Sequence, residues 1–395
     1  MAEGEGVRQR GWIGRFAAVA AGALLAACST VVPPGVERAP PPVQRPAYQA
    51  PQVEVGIPRD TARNRVALLV PLTGGNAGVG QSIANATQLA MLDTNTTQVR
   101  VTNYDTATGA AAAARRAIDD GAQLILGPLL ADDARQVGPI AHAAGVPVLS
   151  FSNDTGVAGG GTYVMGYVPA QSIERVVDYA RARGVTTFAG MVPNGLYGER
   201  ASTAFLRAVE AGGGQVLSLQ TYSRTPAAIA AAAARVGAKA PYGAVLIADA
   251  GPTAAAAAAG AKRGSPSARV LGTELWNTES GIAARPQLAG AWFASVSDGL
   301  YRQFAAKYRG RFGAGPYRLS SLGYDAVLLT VRIARDWPIG ARFPEARLRD
   351  TDGFAGLDGA FRFGRDGVAE RALEVQEIRG GQAVVVSPAP SGFGR

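Results

Sequence analysis

Arg65 to Asp93 reads RVALLVPLTGGNAGVGQSIANATQLAMLD, and three textures meet within it. RVALLVPL is a short, nearly continuous apolar run of strand length. Thr73 to Gly80 is a stretch of small residues and glycines that predicts a loop, and the spacing from about Gln81 to Leu92 predicts a helix. A strand without polar alternation is buried on both faces, as in a parallel sheet covered by helices. The unit then repeats. VRVTNYD is a second strand and GAAAAARRAIDDG an alanine-rich helix, and QLILGPL, GVPVLSF, TTFAGMVP, GAVLIAD, ARVLGTEL and AWFASV read as further strands. Helix-length segments separate most of them, so the fold class is α/β, built from right-handed crossover units.

With 395 residues, 47% of them hydrophobic and 17% charged, the chain has enough apolar surface for a large core, divided into two lobes rather than one. The first 27 residues stand outside that pattern. Arg8, Arg10 and Arg15 precede the small, apolar run Phe16 to Ala27. As a helix that run would span about 18 Å, well short of a bilayer core of about 30 Å, so residues 1–27 read as an export signal. Cys28 is the only cysteine, which excludes an internal disulfide. Leu25-Ala26-Ala27-Cys28 resembles a bacterial lipobox, which implies acylation of the Cys28 thiol and attachment to a membrane. Ser29 in the next position implies sorting to the outer membrane. Residues 28–60 carry the lipidated cysteine and a proline-rich tether, extended to somewhat under about 100 Å at about 3.1 Å per residue.

The formal charge of +9 falls to +8 without the signal, which holds three arginines and two glutamates. Its basic residues are scattered and lack aromatic interleaving, so a nucleic-acid partner is not expected. Attraction to anionic lipid or wall polymer is a more natural use of the charge.

In parallel sheets, ligands sit beyond the carboxyl ends of the strands. That rule selects Thr73 and Asn76 after the first strand, Asp105, Gly127, Ser150 with Ser152 and Asn153, Tyr197, Asp249, and Glu274 with Trp276. Most are small, hydroxylic or amide side chains, suited to hydrogen-bonding a small ligand or to capping the next helix. Covalent catalysis lacks its parts. His142 is the only histidine, neither serine of SFSND lies in a G-x-S-x-G elbow, and one histidine with one lipidated cysteine makes no zinc site. Asp350-Thr351-Asp352-Gly353 begins like a calcium loop but continues with Phe354 where an oxygen ligand is needed. Gly78-Val79-Gly80 has Ile83 where a dinucleotide fingerprint needs its third glycine, so these glycines are expected to make a flexible loop. No cofactor, no metal and no enzymatic activity are expected.

RVALLVPLTGGNAGVGQSIANATQLAMLD, ILGPLL, GPIAHAAGVPVLSFSND, YVMGYVP, NGLYGER, GTELWN and LGYDAVLL together resemble a type I periplasmic binding protein of the branched-chain amino acid receptor group. Within it, GPLL, GVPVLSFSND and FAGLDGAFRFGRDGVAERALEV are most similar to the lipoproteins called penicillin-binding protein activators. The resemblance covers residues 64–388. It implies two Rossmann-like lobes with parallel sheets joined by a three-crossing hinge. Lobe one would take residues 61–167 and 299–335, and lobe two residues 168–298 and 336–388, with 389–395 as a tail. Asp358-Gly359 reads independently as a hairpin turn, with RALEVQEI as the strand before GGQAVVV.

By the same resemblance, Ser150, Ser152 and Asn153 stand where receptors of this group hold a ligand carboxylate, and Gly127 would permit close backbone approach. Tyr197 of the Y-G motif would close over the ligand and Glu274 would pair with its amine, although Trp276 is an alternative filler of the cleft. Each residue also has a role open to it as a helix cap or packed loop. Two functions follow from the resemblance. The first is a non-enzymatic, outer-membrane-anchored regulator of peptidoglycan synthesis that acts on a bifunctional penicillin-binding protein. The alternative is a solute receptor that delivers an amino acid or similar small molecule to an ABC importer.

Overall fold

The apolar run that follows Asn64 becomes β1 (Asn64–Val70), a central strand whose Val66 to Val70 are all buried. Burying each such aliphatic side chain contributes about 1.5–3 kcal/mol. The computed structural model describes residues 62–393 except 240 and 280. The expected export signal, Cys28 and the tether lie outside the described residues.

Next come α1 (Ala77–Thr94), β2 (Val99–Asp105), α2 (Ala110–Asp119), β3 (Leu124–Leu126), α3 (Ala131–Ala144), β4 (Val148–Ser150) and β5 (Thr162–Val164). The strands pair in parallel, in the order β2-β1-β3-β4-β5. Helix α1 starts earlier than its sequence predicts, and Gly78 and Gly80 are helical rather than loop residues. A Cβ on Gly80 would lie 1.8 Å from the Pro71 carbonyl oxygen. The expected flexible loop is thus corrected: Gly80 lets the helix start against the end of β1.

The second lobe runs through α4 (Pro169–Arg181), β6 (Thr187–Pro193), α5 (Leu196–Ala211), β7 (Gln215–Tyr222), α6 (Pro226–Gly237), β8 (Ala244–Ile247), α7 (Gly251–Ala261), β9 (Arg269–Gly272) and β10 (Trp292–Ser295). The chain then returns to the first lobe with α8 (Gly299–Phe312) and α9 (Ser320–Ala334), and α9 packs along α1. β11 (Phe354–Gly356), β12 (Gly359–Phe363) and β13 (Ala369–Arg371) make a small antiparallel sheet. β14 (Glu374–Arg379) and β15 (Gln382–Ser387) complete the second-lobe sheet, ordered β15-β14-β10-β9-β8-β6-β7.

The expected return to lobe two at residue 336 is corrected by this packing. Trp337, Phe343, Leu348, Phe354, Phe361 and Phe363 share one buried core with Val66, Leu68 and Leu124 of the first sheet. Their aromatic area finds its cover there, so residues 336–371 stay with lobe one. Only β14 and β15 go back. RALEVQEI is accordingly split between β13 and β14, which belong to different sheets. The hairpin loop is Leu357-Asp358, one residue before the predicted turn, and Gly359 (φ +92°) closes it. Gly380 and Gly381 both have positive φ, as the two-residue turn between β14 and β15 requires.

Candidate functional site

Strand ends of the first lobe look inward to their own loops. The Ser150 hydroxyl donates to the Pro128 carbonyl (3.2 Å) and accepts from the Ser152 amide (3.2 Å). The Ser152 hydroxyl accepts from the Asp154 amide (3.0 Å), and Asp154 Oδ1 from the Gly156 amide (2.7 Å). Three successive side chains thus bond the backbone two residues on, a turn chemistry natural to Ser and Asp. Both serines are buried, and Asn153 is exposed. Gly127 does permit a close approach, but to this chain: its Cβ would lie 2.1 Å from the Leu69 carbonyl oxygen. Thr73 donates to Asp105 (2.6 Å), and Asn76 is the residue before α1, with no side-chain capping bond.

In the second lobe the candidates do converge. Gly198 lets α5 begin directly on β6, since its Cβ would meet the Pro193 carbonyl at 1.6 Å, and this close start positions Tyr197. The Tyr197 hydroxyl lies 3.0 Å from Thr273 Oγ1 and donates to Glu274 Oε1 (3.2 Å). The Ser172 hydroxyl donates to Glu274 Oε2 at 2.5 Å. Burial raises the Glu274 pKa against the pull of these donors, and burial with the neighbouring Glu274 charge holds the Tyr197 phenol well above its usual range. Trp276 is not in this group. Its indole lies in the second-lobe core, over Gly272, and its Nε1 donates to the Asp249 carbonyl (3.0 Å). The ring is fully buried, and it also stands in the wall of a groove of about 880 Å³ that both lobes build.

Ser172 and Glu274 line a small cavity of about 20 Å³ with Tyr167, Asn277, Arg318 and Arg371. By this measure about one water needs 10–15 Å³, so an amino acid has no room. None of Thr73, Asn76, Gly127, Ser150, Ser152 or Asn153 lines it. Arg318, before α9, pairs with Asp358 at 2.7 Å, and both are almost completely buried. Asp358 Oδ2 also accepts from Ser321 (2.8 Å) and Tyr167. Burial is the largest single influence and opposes the guanidinium charge, but Asp358, Tyr167 and Asp298 together outweigh it, and the Arg318 pKa is raised. Sequence reading missed this group. The one trace of it was the D-G turn, which placed Asp358 at a hairpin without a reason for its burial.

A second tie joins the lobes through the SFSND loop. Asp154 of lobe one is ion-paired with Arg200 of α5 and with Arg135 of α3, and Arg200 donates to Thr155 Oγ1 (2.7 Å). Arg200→Ala should therefore cost about 1 kcal/mol in urea unfolding. Arg135→Ala should cost less, because Arg135 is 48% exposed and its link lies within one lobe. Equal losses would contradict a tie between lobes.

A family model for periplasmic binding proteins matches residues 64–383. Among solved structures, this chain is similar to a putative branched-chain amino acid ABC transporter protein from Rhodospirillum rubrum (TM-score 0.74, 22% identity, 82% of this chain and 100% of that one). It is also similar to the leucine-binding protein LivK from Thermotoga maritima (TM-score 0.63, 21% identity, 82% and 98%). Full-length LpoA from Haemophilus influenzae matches with TM-score 0.64 and 21% identity, over 82% of this chain and 59% of LpoA. An uncharacterized protein of Rickettsia prowazekii is 24% identical over 139 residues, 35% of this chain and 37% of that protein. Mainly parallel sheets in two lobes, three crossings between them and a family match over most of its length lead to one assignment: the chain belongs to the periplasmic binding protein family.

Proposed function

We propose that this protein is a non-enzymatic lipoprotein, anchored in the outer membrane through Cys28, whose periplasmic binding-protein domain docks on a bifunctional penicillin-binding protein and promotes peptidoglycan synthesis. One observation carries the reading. The position at which the resemblance puts a solute is filled by the chain's own side chains, with Glu274 bonded to Ser172 and Tyr197 and only about 20 Å³ left beside these two groups. A solute carrier needs that space, whereas a docking domain does not. The activator-like motifs, the likeness to LpoA, the lipobox and a tether suited to reaching away from a membrane point the same way. The full-length lipidated protein in detergent should bind the cell's bifunctional synthases and raise their glycan polymerisation or crosslinking severalfold. Neither binding nor stimulation with those synthases would defeat the proposal.

The second reading, a receptor for an amino acid or similar solute of an ABC importer, is favoured by Tyr197 and Glu274 meeting at the expected positions. It requires the lobes to part and Glu274 to exchange its internal partners for an amine. An amino acid at about 100 times its Kd would then add about 2.7 kcal/mol of stability, and Glu274→Ala would abolish the gain. No shift across an amino acid and wall-fragment panel would remove this reading.

A further inference from the structure

The loop that follows α9 lies at the amino ends of the first-lobe strands, the opposite end of the sheet from Thr73 and Ser150. Asn64, the first residue of β1, donates to the Trp337 carbonyl (3.0 Å) and accepts from the Gly340 amide (3.0 Å), and Gln123 before β3 donates to the Ala341 carbonyl. Trp337 and Phe343 are buried edge to face with ring centres 5.0 Å apart, and the Trp337 indole donates to the same Ala341 carbonyl (2.8 Å). These bonds hold Pro338-Ile339-Gly340 as a fixed tip, turned by Gly340 at φ +81°. Ile339 stands on it 51% exposed.

Cations surround this aliphatic side chain. Arg335 at the end of α9 and Arg342 after the tip are both exposed, and among the described residues neither pairs with a carboxylate. The acid between them in sequence, Asp336, is taken by Arg347 (3.1 Å). Arg342 reaches the carboxyl end of α3, its Nη1 3.3 Å from where a Cβ on Gly145 would lie. An excess of arginine around an exposed aliphatic residue suits a negative surface with an apolar layer beneath it, which is what a bilayer of anionic lipids presents. A soluble polyanion would satisfy the arginines and leave Ile339 in water. The chain also enters the domain here, because β1 is its first strand, so the segment that leads from Cys28 joins lobe one at this face.

We propose that this amino-end face of lobe one docks reversibly on an anionic phospholipid surface, with Ile339 inserted and Arg335 and Arg342 against the headgroups. It rests on the anchored reading for delivery to the membrane, since a tether makes the contact intramolecular, and on no action upon a synthase. Hydrogen exchange of the full-length protein reconstituted with phosphatidylglycerol vesicles and with phosphatidylcholine vesicles tests it, and flotation of the same samples reports anchorage. Exchange across residues 337–342 should slow severalfold on phosphatidylglycerol alone, and the slowing should vanish in about 1 M salt, where the screening length is about 3 Å. Arg335→Glu combined with Arg342→Glu should abolish it, as should Ile339→Asp by itself. Arg263→Glu, at an exposed position beyond α7 in lobe two, should leave it unchanged. Equal exchange on the two vesicles in protein that floats with both overturns the docking and leaves the anchor standing, whereas failure to float overturns both. Slowing that survives the substitutions at 335, 339 and 342 also overturns it. So does slowing by free polyglutamate with none on vesicles, which would point instead to a wall polymer.

Discussion

Asp358→Ala is expected to destabilise the protein by about 3–5 kcal/mol, the range for removing one partner of a buried ion pair. Asp358 is fully buried and the Arg318 side chain is 5% exposed, so the guanidinium would lose its short-range partner without gaining water. What remains near Arg318 is Asp298 at 3.7 Å, the Tyr301 ring, and the Ser321 (3.0 Å) and Tyr167 (3.3 Å) hydroxyls, none of them a replacement for a carboxylate at 2.7 Å. Ser321 and Tyr167 would lose an acceptor in the same step. Tyr167 immediately precedes the crossing into lobe two, and Asp358 lies in the hairpin of the small lobe-one sheet, so the pair ties the first crossing to that sheet. The double variant Arg318→Met, Asp358→Leu should recover most of the loss, because a buried pair replaced by apolar side chains is often near neutral. Urea unfolding followed by tryptophan fluorescence and circular dichroism measures both. A loss under about 1 kcal/mol for Asp358→Ala would contradict the burial of an unpaired charge.

This pair also marks the limit of what the chain reveals as text. The βα repeat was legible because strands such as β1 and β8 are continuous apolar runs, and burial on both faces leaves that trace directly in residue type. The route of residues 336–371 was not. Phe354, Phe361 and Phe363 alternate as any half-buried strand would, and alternation says that a face is covered without saying by what. At the site, Tyr197 and Glu274 were found because strand ends in a parallel sheet are few and both side chains reach a neighbour across one sheet edge. Ser150 and Ser152 were found by the same rule, yet their hydroxyls bond within the loop. Hydroxyls that cap a turn and hydroxyls that hold a ligand have the same sequence signature. Arg318 was out of reach because its partner lies 40 residues away, in a hairpin that reads as solvent-facing.

The second large effect is a pH slope set by Asp325. This carboxyl is fully buried in α9, accepts the Leu357 amide through Oδ1 (2.7 Å), and has no partner for Oδ2. Burial and then the Asp358 charge push its pKa up to about 7, against an opposing pull from Arg371 of β13. In the unfolded chain the value is about 3.9. Between these values the folded state holds a proton that the unfolded state has released. The stability Asp325 contributes is therefore complete below about pH 4 and is lost as pH rises to about 7. At about 1.36 kcal/mol per pH unit, the loss across that window is on the order of 4 kcal/mol. Asp325→Asn keeps an oxygen for the Leu357 amide and removes the titration. Its stability should exceed that of the parent chain by a few kcal/mol at pH 8, with the gap closing toward pH 4. Glu274 is also raised by burial and adds a slope of the same sign, so only the difference between the two proteins reports Asp325. Urea midpoints at several pH values between 4 and 8 give that difference, and parallel curves would show that Asp325 is ionised throughout, with Arg371 as its effective counterion.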